Sequence, residues 1–143
     1  MASTASFMSA APENELTLLR LYMLRATYLL IALGEGSQVF PPTFVHEPGA
    51  RGVIPALLSG LCVLCPLGLK YPRQLLPLLM FEFAWKLTWF LSFGLPQWLS
   101  GQVPATFADD FPAITMGVVL MPIVLPWGFI WRNFVKAPGD RWR

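Results

Sequence analysis

Charge is what this sequence has least of, and that scarcity excludes several classes of protein. Of its 143 residues only 13% are charged, about half of the roughly 25% that is usual in a soluble globular domain. The 10 basic and 8 acidic residues leave a net charge of +2, too weak for a nucleic-acid-binding surface. Two cysteines cannot form a disulfide framework. We therefore expect neither a nucleic-acid partner nor a small secreted scaffold.

Apolar residues, in contrast, are abundant and occur in long runs. They make up 55% of the chain, and its mean hydropathy is +0.56. Four segments of 17 to 21 residues stand out, at positions 16–33, 53–69, 75–95 and 113–131. About 20 apolar residues in a helix cross a bilayer, and lipid excludes an open sheet. The sequence therefore predicts an all-α integral membrane bundle of four transmembrane helices.

The distribution of basic residues predicts how this bundle lies in the membrane. The short connection 70–74 carries two positive charges, and the segment 132–143 carries four against one negative charge. The connections 34–52 and 96–112 carry more acidic than basic residues. Because positive charges collect on the cytoplasmic side, we expect both termini inside, with 1–15 a polar leader and 132–143 a basic cytoplasmic tail.

Glycine and proline mark the expected ends and bends of the helices. Gly34 and Gly36 predict the end of the first helix, which places Pro41 in the following outer loop. Pro122 and Pro126 lie well inside the fourth apolar segment. Each removes a backbone hydrogen bond, so we expect a bent fourth helix. This bend is either a packing kink or a gating hinge.

The third apolar segment contains charges where a membrane helix rarely tolerates them. Within the sequence FEFAWKLTWF at 81–90, Glu82 and Lys86 are four residues apart, which places them on one helix face in the favoured order. They lie about 10 and 16 Å into the membrane. Charges at such depth face the bundle interior in pairs. Trp85 and Trp89 are also in mid-span, where we interpret them as packing or pocket walls.

Two charges of the first segment are candidate partners for this pair. Arg25 is expected at a depth similar to that of Glu82, so we predict that they are in contact. Glu35, near the outer end of the same helix, could then meet Lys86 as it extends outward. The four charges sum to zero, as a low-dielectric interior favours. Such a cluster could fix helix packing, line a polar ligand pocket, or transfer protons or ions.

Two other patterns suggest a redox or metal-binding role, but the sequence gives these roles less support. Cys62 and Cys65 form a C-x-x-C motif, like that of membrane thiol enzymes similar to vitamin K epoxide reductase. A second cysteine pair to relay electrons is missing, and the motif lies close to the inner Lys70, so we favour a packing role. His46 is the single histidine and belongs to no metal-binding spacing, so no metal site is predicted.

With its four segments and its charges in the first and third, the chain resembles the small bacterial membrane proteins grouped as DoxX-like. FEFAWKLTWF and the ending VKAPGDRWR also look like features of an uncharacterised family of bacterial inner-membrane proteins. The resemblance implies a multi-pass protein of the cell inner membrane that assists a quinone-linked complex, and it brings no catalytic residue. Small multidrug exporters also have four helices and a membrane glutamate, but they carry it in the first span, where this chain has arginines.

Together these patterns favour a non-enzymatic accessory subunit, or a bundle that binds a hydrophobic ligand such as a lipid or a quinone. The alternative is a membrane-embedded redox enzyme or a proton-coupled small transporter that uses Glu82 and Lys86. Expected partners are membrane lipid and either a larger membrane complex or further copies of the chain. The candidate site consists of Arg25, Glu35, Glu82, Trp85, Lys86 and Trp89.

Overall fold

The computed structural model describes residues 16–45, 49–102, 104–105 and 108–140, and the regular structure within these ranges is helical. The α-helices are α1 (Leu18–Leu30), α2 (Gly36–Thr43), α3 (Ala50–Lys70), α4 (Leu76–Trp89), α5 (Leu95–Leu99), α6 (Asp110–Val124) and α7 (Trp127–Ile130). The π-helical segments Ile31–Glu35, Phe90–Gly94 and Trp131–Lys136 continue α1, α4 and α7. The described ranges thus form four helical runs, at 18–43, 50–70, 76–99 and 110–136. The all-helical prediction is confirmed.

Two of these runs are long and apolar enough to cross a membrane. They are Arg51–Lys70 and Leu76–Leu99, and the broken pair Asp110–Val124 and Trp127–Lys136 adds a third if it acts as one span. The first run is not among them; it carries two arginines and a glutamate. The helices thus support a membrane protein with two or three such spans by length and composition, where the sequence predicted four.

The first run does not end at Gly34–Gly36, so that prediction is wrong. The chain passes through a π-helical turn and continues as α2 to Thr43, with Pro41 inside the helix. Packing on α3 explains why the helix persists. The Thr43 hydroxyl shares a hydrogen bond of 2.8 Å with that of Ser59 on α3. Tertiary contacts therefore override the local preference of glycine and proline.

The predicted bend in the fourth run is confirmed. The axes on either side of the break differ in direction by 71°, and the α-helical part ends two residues before Pro126. Proline has no N–H to donate to the carbonyl of Pro122, four residues earlier. The indole Nε1 of Trp127 donates to that oxygen instead, at 2.8 Å. The carbonyl that the break leaves without a backbone partner therefore has a side-chain hydrogen bond.

The arginines of α1 bind carbonyl groups at the ends of other helices. Arg20 Nη1 donates to the carbonyls of Ile123 (2.6 Å) and Val124 (3.2 Å), beside the break. Arg25 Nε donates to the carbonyl of Leu69 (3.0 Å) at the end of α3. The last carbonyls of a helix lack partners within it and carry partial negative charge, which a guanidinium stabilises. These contacts explain why the first run contains two arginines.

The helices associate as two pairs. The first run packs on α3, α4 packs on α6, and α1 contacts α6 to join the pairs. Buried apolar side chains fill the centre: Leu24, Tyr28, Ile31, Leu61, Cys62, Cys65, Leu76, Leu79, Met121, Val124, Leu125 and Ile130. Within this core the Tyr28 hydroxyl donates to the carbonyl of Pro72 at 3.2 Å. Many other apolar side chains face outward, as expected for helices whose surroundings are lipid.

Candidate functional site

A cleft of about 1030 Å³ lies between the two helical pairs. Its walls come from the first run, the beginning of α3, the second half of α4 and α6. The walls are largely apolar, and Ile54, Phe81 and Met116 at its margins are exposed. A volume of this size accommodates a drug-sized ligand, and the exposed margins leave the cleft open to the surroundings of the protein.

Three charged side chains meet at the cleft. Glu82 is fully buried and forms an ion pair with the ammonium of Lys86, four residues later on α4. Lys86 Nζ also lies 3.3 Å from Glu35 Oε2. Both pairings were predicted and are confirmed. Because Glu35 belongs to the first run and Lys86 to the third, the lysine links the two helical pairs across the cleft.

Local backbone features make room for this cluster. Glu35 is the last residue of the π-helical turn Ile31–Glu35, and such turns occur frequently at functional sites. On α6, a Cβ atom added to Gly117 would lie 2.6 Å from Lys86 Cδ. Only glycine therefore leaves space for the lysine stem at this position. The sequence showed a small residue here but not the side chain that it accommodates.

Trp85 is the second partner of the buried carboxylate. Its indole Nε1 donates a hydrogen bond of 2.6 Å to Glu82 Oε2, and the Lys86 ammonium lies 5.2 Å from the centre of its ring. A cation at this distance from an indole is attracted by the electrons of the ring. Glu82 is therefore held by an ammonium and an indole from its own helix, and the tryptophan ring is fixed at the cleft wall.

Aromatic side chains form a stripe along the cleft. Phe81, Trp85, Trp89 and Phe93 are four residues apart and all line the cavity, because side chains at this spacing share one helix face. Trp89 also packs beside Phe111, with ring centres 6.5 Å apart. The sequence predicted Trp85 and Trp89 as packing or pocket walls, and both line the cavity. The sequence analysis did not single out Phe81, although Phe81 is four residues before Trp85 and so lies on the same helix face.

The predicted contact between Arg25 and Glu82 is wrong. The Arg25 guanidinium hydrogen-bonds the carbonyl of Leu69 and lies 5.7 Å from the ring centre of Tyr22. Glu82 is two turns into α4 and is already paired with Lys86. The physical reason is that α3 ends beside Arg25 with an unpaired carbonyl, which satisfies the guanidinium without desolvating a carboxylate.

Because Arg25 is not part of the cluster, the formal charge of the cluster differs from the predicted one. Glu35, Glu82 and Lys86 sum formally to −1, where the sequence predicted a neutral set of four. Asp110 adds a further carboxylate to the lining of the cleft. It lies in the first turn of α6, where the helix dipole favours an anion, and its side chain is exposed.

Neither cysteine lines the cleft. Cys62 and Cys65 are free thiols buried in the core, and the Cys62 thiol lies 3.8 Å from the carbonyl of Ile31. This position agrees with the packing role favoured from the sequence. His46 and Glu47 lie outside the described residues.

Comparison of the chain with family models, with curated proteins and with solved structures finds no match. The DoxX-like resemblance therefore stays a prediction, and the candidate function depends on the geometry of the cleft.

Proposed function

We propose that the chain is a multi-pass protein of the cell inner membrane that binds a hydrophobic ligand, of the lipid or quinone class, in the cleft between its helical pairs. In this proposal the four runs cross the membrane with both termini inside, and the chain acts as a non-enzymatic accessory subunit. The two or three apolar spans and the basic connection at Lys70 and Arg73 support this placement.

The observation that carries the proposal is a large apolar cleft with an ion pair in its wall. A hydrophobic ligand binds through apolar contacts along its body, and a few fixed polar groups determine its orientation. Glu35 and Lys86 supply such groups here, since both line the cavity and are fixed by their ion pair. The cluster would then align the polar part of the ligand while the apolar walls hold the rest.

The open margin gives the ligand a route from the bilayer. Ile54 on α3 and Met116 on α6 line the cleft and are both exposed. In a membrane these side chains face acyl chains, so a hydrophobic molecule can enter sideways without crossing water. A ligand that enters in this way pays little for desolvation of its apolar part.

Native mass spectrometry of the protein released gently from its own membrane tests the proposal. We expect a reproducible small-molecule adduct on the wild-type chain. Ala113→Trp should reduce the adduct at least tenfold, because Ala113 lines the cleft and an indole there would occupy part of the space that the ligand needs. Val119→Trp is the matched control on the same helix, since Val119 is exposed outside the cleft, and it should keep the adduct.

A bare wild-type chain, or an adduct that survives Ala113→Trp unchanged, would contradict binding in the cleft. An adduct lost equally in both tryptophan variants would show a general effect of the bulky side chain and would contradict it as well.

A further inference from the structure

We propose that the end of the fourth run, Trp127–Lys136, lies along the inner surface of the membrane and binds the head groups of anionic phospholipids through Arg132 and Lys136. This inference rests on the membrane placement of the proposed function and is independent of the cleft. Two features of the segment carry it: its direction relative to α6, and the separation of its exposed apolar side chains from its basic ones.

The direction of the segment suits the surface of a bilayer better than its interior. Its axis is turned by 71° from that of α6. Where α6 crosses the bilayer, the ten residues of Trp127–Lys136 therefore advance only about 5 Å further across it, at ~1.5 Å per residue along their own axis. Together α6 and this segment extend about 27 Å along the axis of α6, close to the ~30 Å thickness of the hydrocarbon core. The fourth run thus has the length to cross the membrane and end at its surface.

The exposed side chains of the segment form an apolar face and a basic face. The apolar face consists of three exposed side chains that are four residues apart: Trp127, Trp131 and Val135. The basic face has the same spacing one position later and consists of two exposed side chains: Arg132 and Lys136. Residues four apart share one side of a helix, whereas adjacent residues are turned apart by ~100°. On the remaining side Ile130 is buried in the core. The segment therefore has one side for the protein, one for acyl chains and one for head groups, as in an interfacial amphipathic helix.

The charge of the basic face favours an anionic lipid. Within the ranges that the structure describes, neither Arg132 nor Lys136 forms an ion pair with a carboxylate. Tryptophan is enriched at the level of the head groups, so the indoles of Trp127 and Trp131 would hold the segment where these two cations meet phosphate groups. Basic residues next to a span are attracted to the negatively charged lipids of the cytoplasmic leaflet. Because the two basic side chains are exposed, their loss should weaken lipid binding and leave the fold intact.

Spin labels on introduced cysteines test the position of the segment. The protein would be reconstituted in vesicles of phosphatidylglycerol and phosphatidylcholine, and the access of each label to oxygen, which concentrates in lipid, and to a water-soluble nickel complex would be measured. The wild-type chain, whose two thiols are buried, is the labelling blank. We expect oxygen to reach Val135→Cys better, and the nickel complex to reach Gly128→Cys better. Gly128 is four residues before Arg132 and has nothing within 4 Å of an added Cβ.

The two alternative positions of the segment predict other results. In a tail that leaves the membrane, the nickel complex would reach Val135→Cys better than Gly128→Cys; in a continuing span, oxygen would reach both better. Either result would overturn the inference. Val63→Cys, at an exposed residue of α3, reports the membrane placement separately. Better access of oxygen there would leave the proposed function intact, whereas better access of the nickel complex would contradict its membrane placement.

Native mass spectrometry of the protein released from vesicles with equal amounts of the two lipids tests the preference for head groups. We expect the wild-type chain to retain more phosphatidylglycerol than phosphatidylcholine, and Arg132→Gln to lower this ratio at least threefold. Arg51→Gln removes the same charge at an exposed residue near the beginning of α3; it is the matched control and should lower the ratio less than about 1.5-fold. A wild-type ratio of one, or equal effects of the two variants, would overturn the binding of anionic lipid by this segment.

Discussion

The substitution Lys86→Met is expected to lower the free energy of unfolding by about 3–5 kcal/mol, the usual cost of removing one partner from a buried ion pair. Methionine fills a similar volume beside Gly117, so the loss comes from charge rather than from a cavity. It leaves Glu82, which is fully buried, and Glu35 without their common ammonium. It also removes one of the links between the two helical pairs.

A double variant separates the ion pair from packing. Glu82→Gln together with Lys86→Met removes both charges of the buried pair, and glutamine keeps an oxygen for the indole of Trp85. We expect the double variant to regain at least half of the loss, as buried pairs replaced by neutral residues often do. Lys136→Met, at an exposed lysine, is the control and should change stability by less than about 0.5 kcal/mol.

Unfolding of the purified protein by sodium dodecyl sulfate in mixed micelles, followed by tryptophan fluorescence, measures these differences. If Lys86→Met were no less stable than Lys136→Met, the cluster would not join the helical pairs.

The substitution Gly68→Ala is expected to destabilise the protein by about 3 kcal/mol, at the upper end of the range for overpacking a core. A Cβ atom at this position in α3 would lie 2.4–2.6 Å from three atoms of the Tyr28 ring. That ring is fully buried, and its hydroxyl is bound to the carbonyl of Pro72. It therefore cannot move aside without breaking the hydrogen bond and the contact between α1 and α3.

Another glycine of α3 provides the matched control. Gly60 has nothing within 4 Å of an added Cβ, so Gly60→Ala should stabilise the helix by up to about 1 kcal/mol through its better helix propensity. Thermal unfolding in detergent micelles, followed by circular dichroism, would show the two opposite shifts. A lower melting temperature in both variants, or in neither, would contradict the close packing of Tyr28 on Gly68.

The features that the sequence predicted correctly depend on periodicity along one chain. Long apolar runs require helices, and a spacing of four residues places Glu82 beside Lys86 whatever the neighbouring helices do. Pro126 removes a donor, which explains why the fourth run is broken there. The pairing of Glu35 with Lys86 was also found, because counting residues from the ends of two segments gives their approximate depths.

The features that could not be predicted from the sequence depend on where helices end and how far apart they lie. Depth alone placed Arg25 beside Glu82, but the choice of partner was decided by an unpaired carbonyl at the end of α3. Gly34 and Gly36 are typical of a helix end, yet packing of α2 on α3 continues the helix. The width of the cleft, and hence the presence of Asp110 in its wall, follows from the separation of two helical pairs, which no local pattern encodes.

Photolabelling tests most directly whether the cleft takes up a hydrophobic ligand. The protein would be reconstituted in vesicles that contain a lipid with a diazirine in its acyl chain, and the labelled residues would be located by mass spectrometry. Ile54 and Met116 line the cleft and are 66% and 54% exposed, whereas Val63 and Ile123, outside it, are 61% and 59% exposed. We expect Ile54 and Met116 to be labelled several times more than Val63 and Ile123, because a chain bound in the cleft stays beside them. Equal labelling of the four residues would mean that lipid contacts follow exposure alone, and would contradict a binding site between the helical pairs.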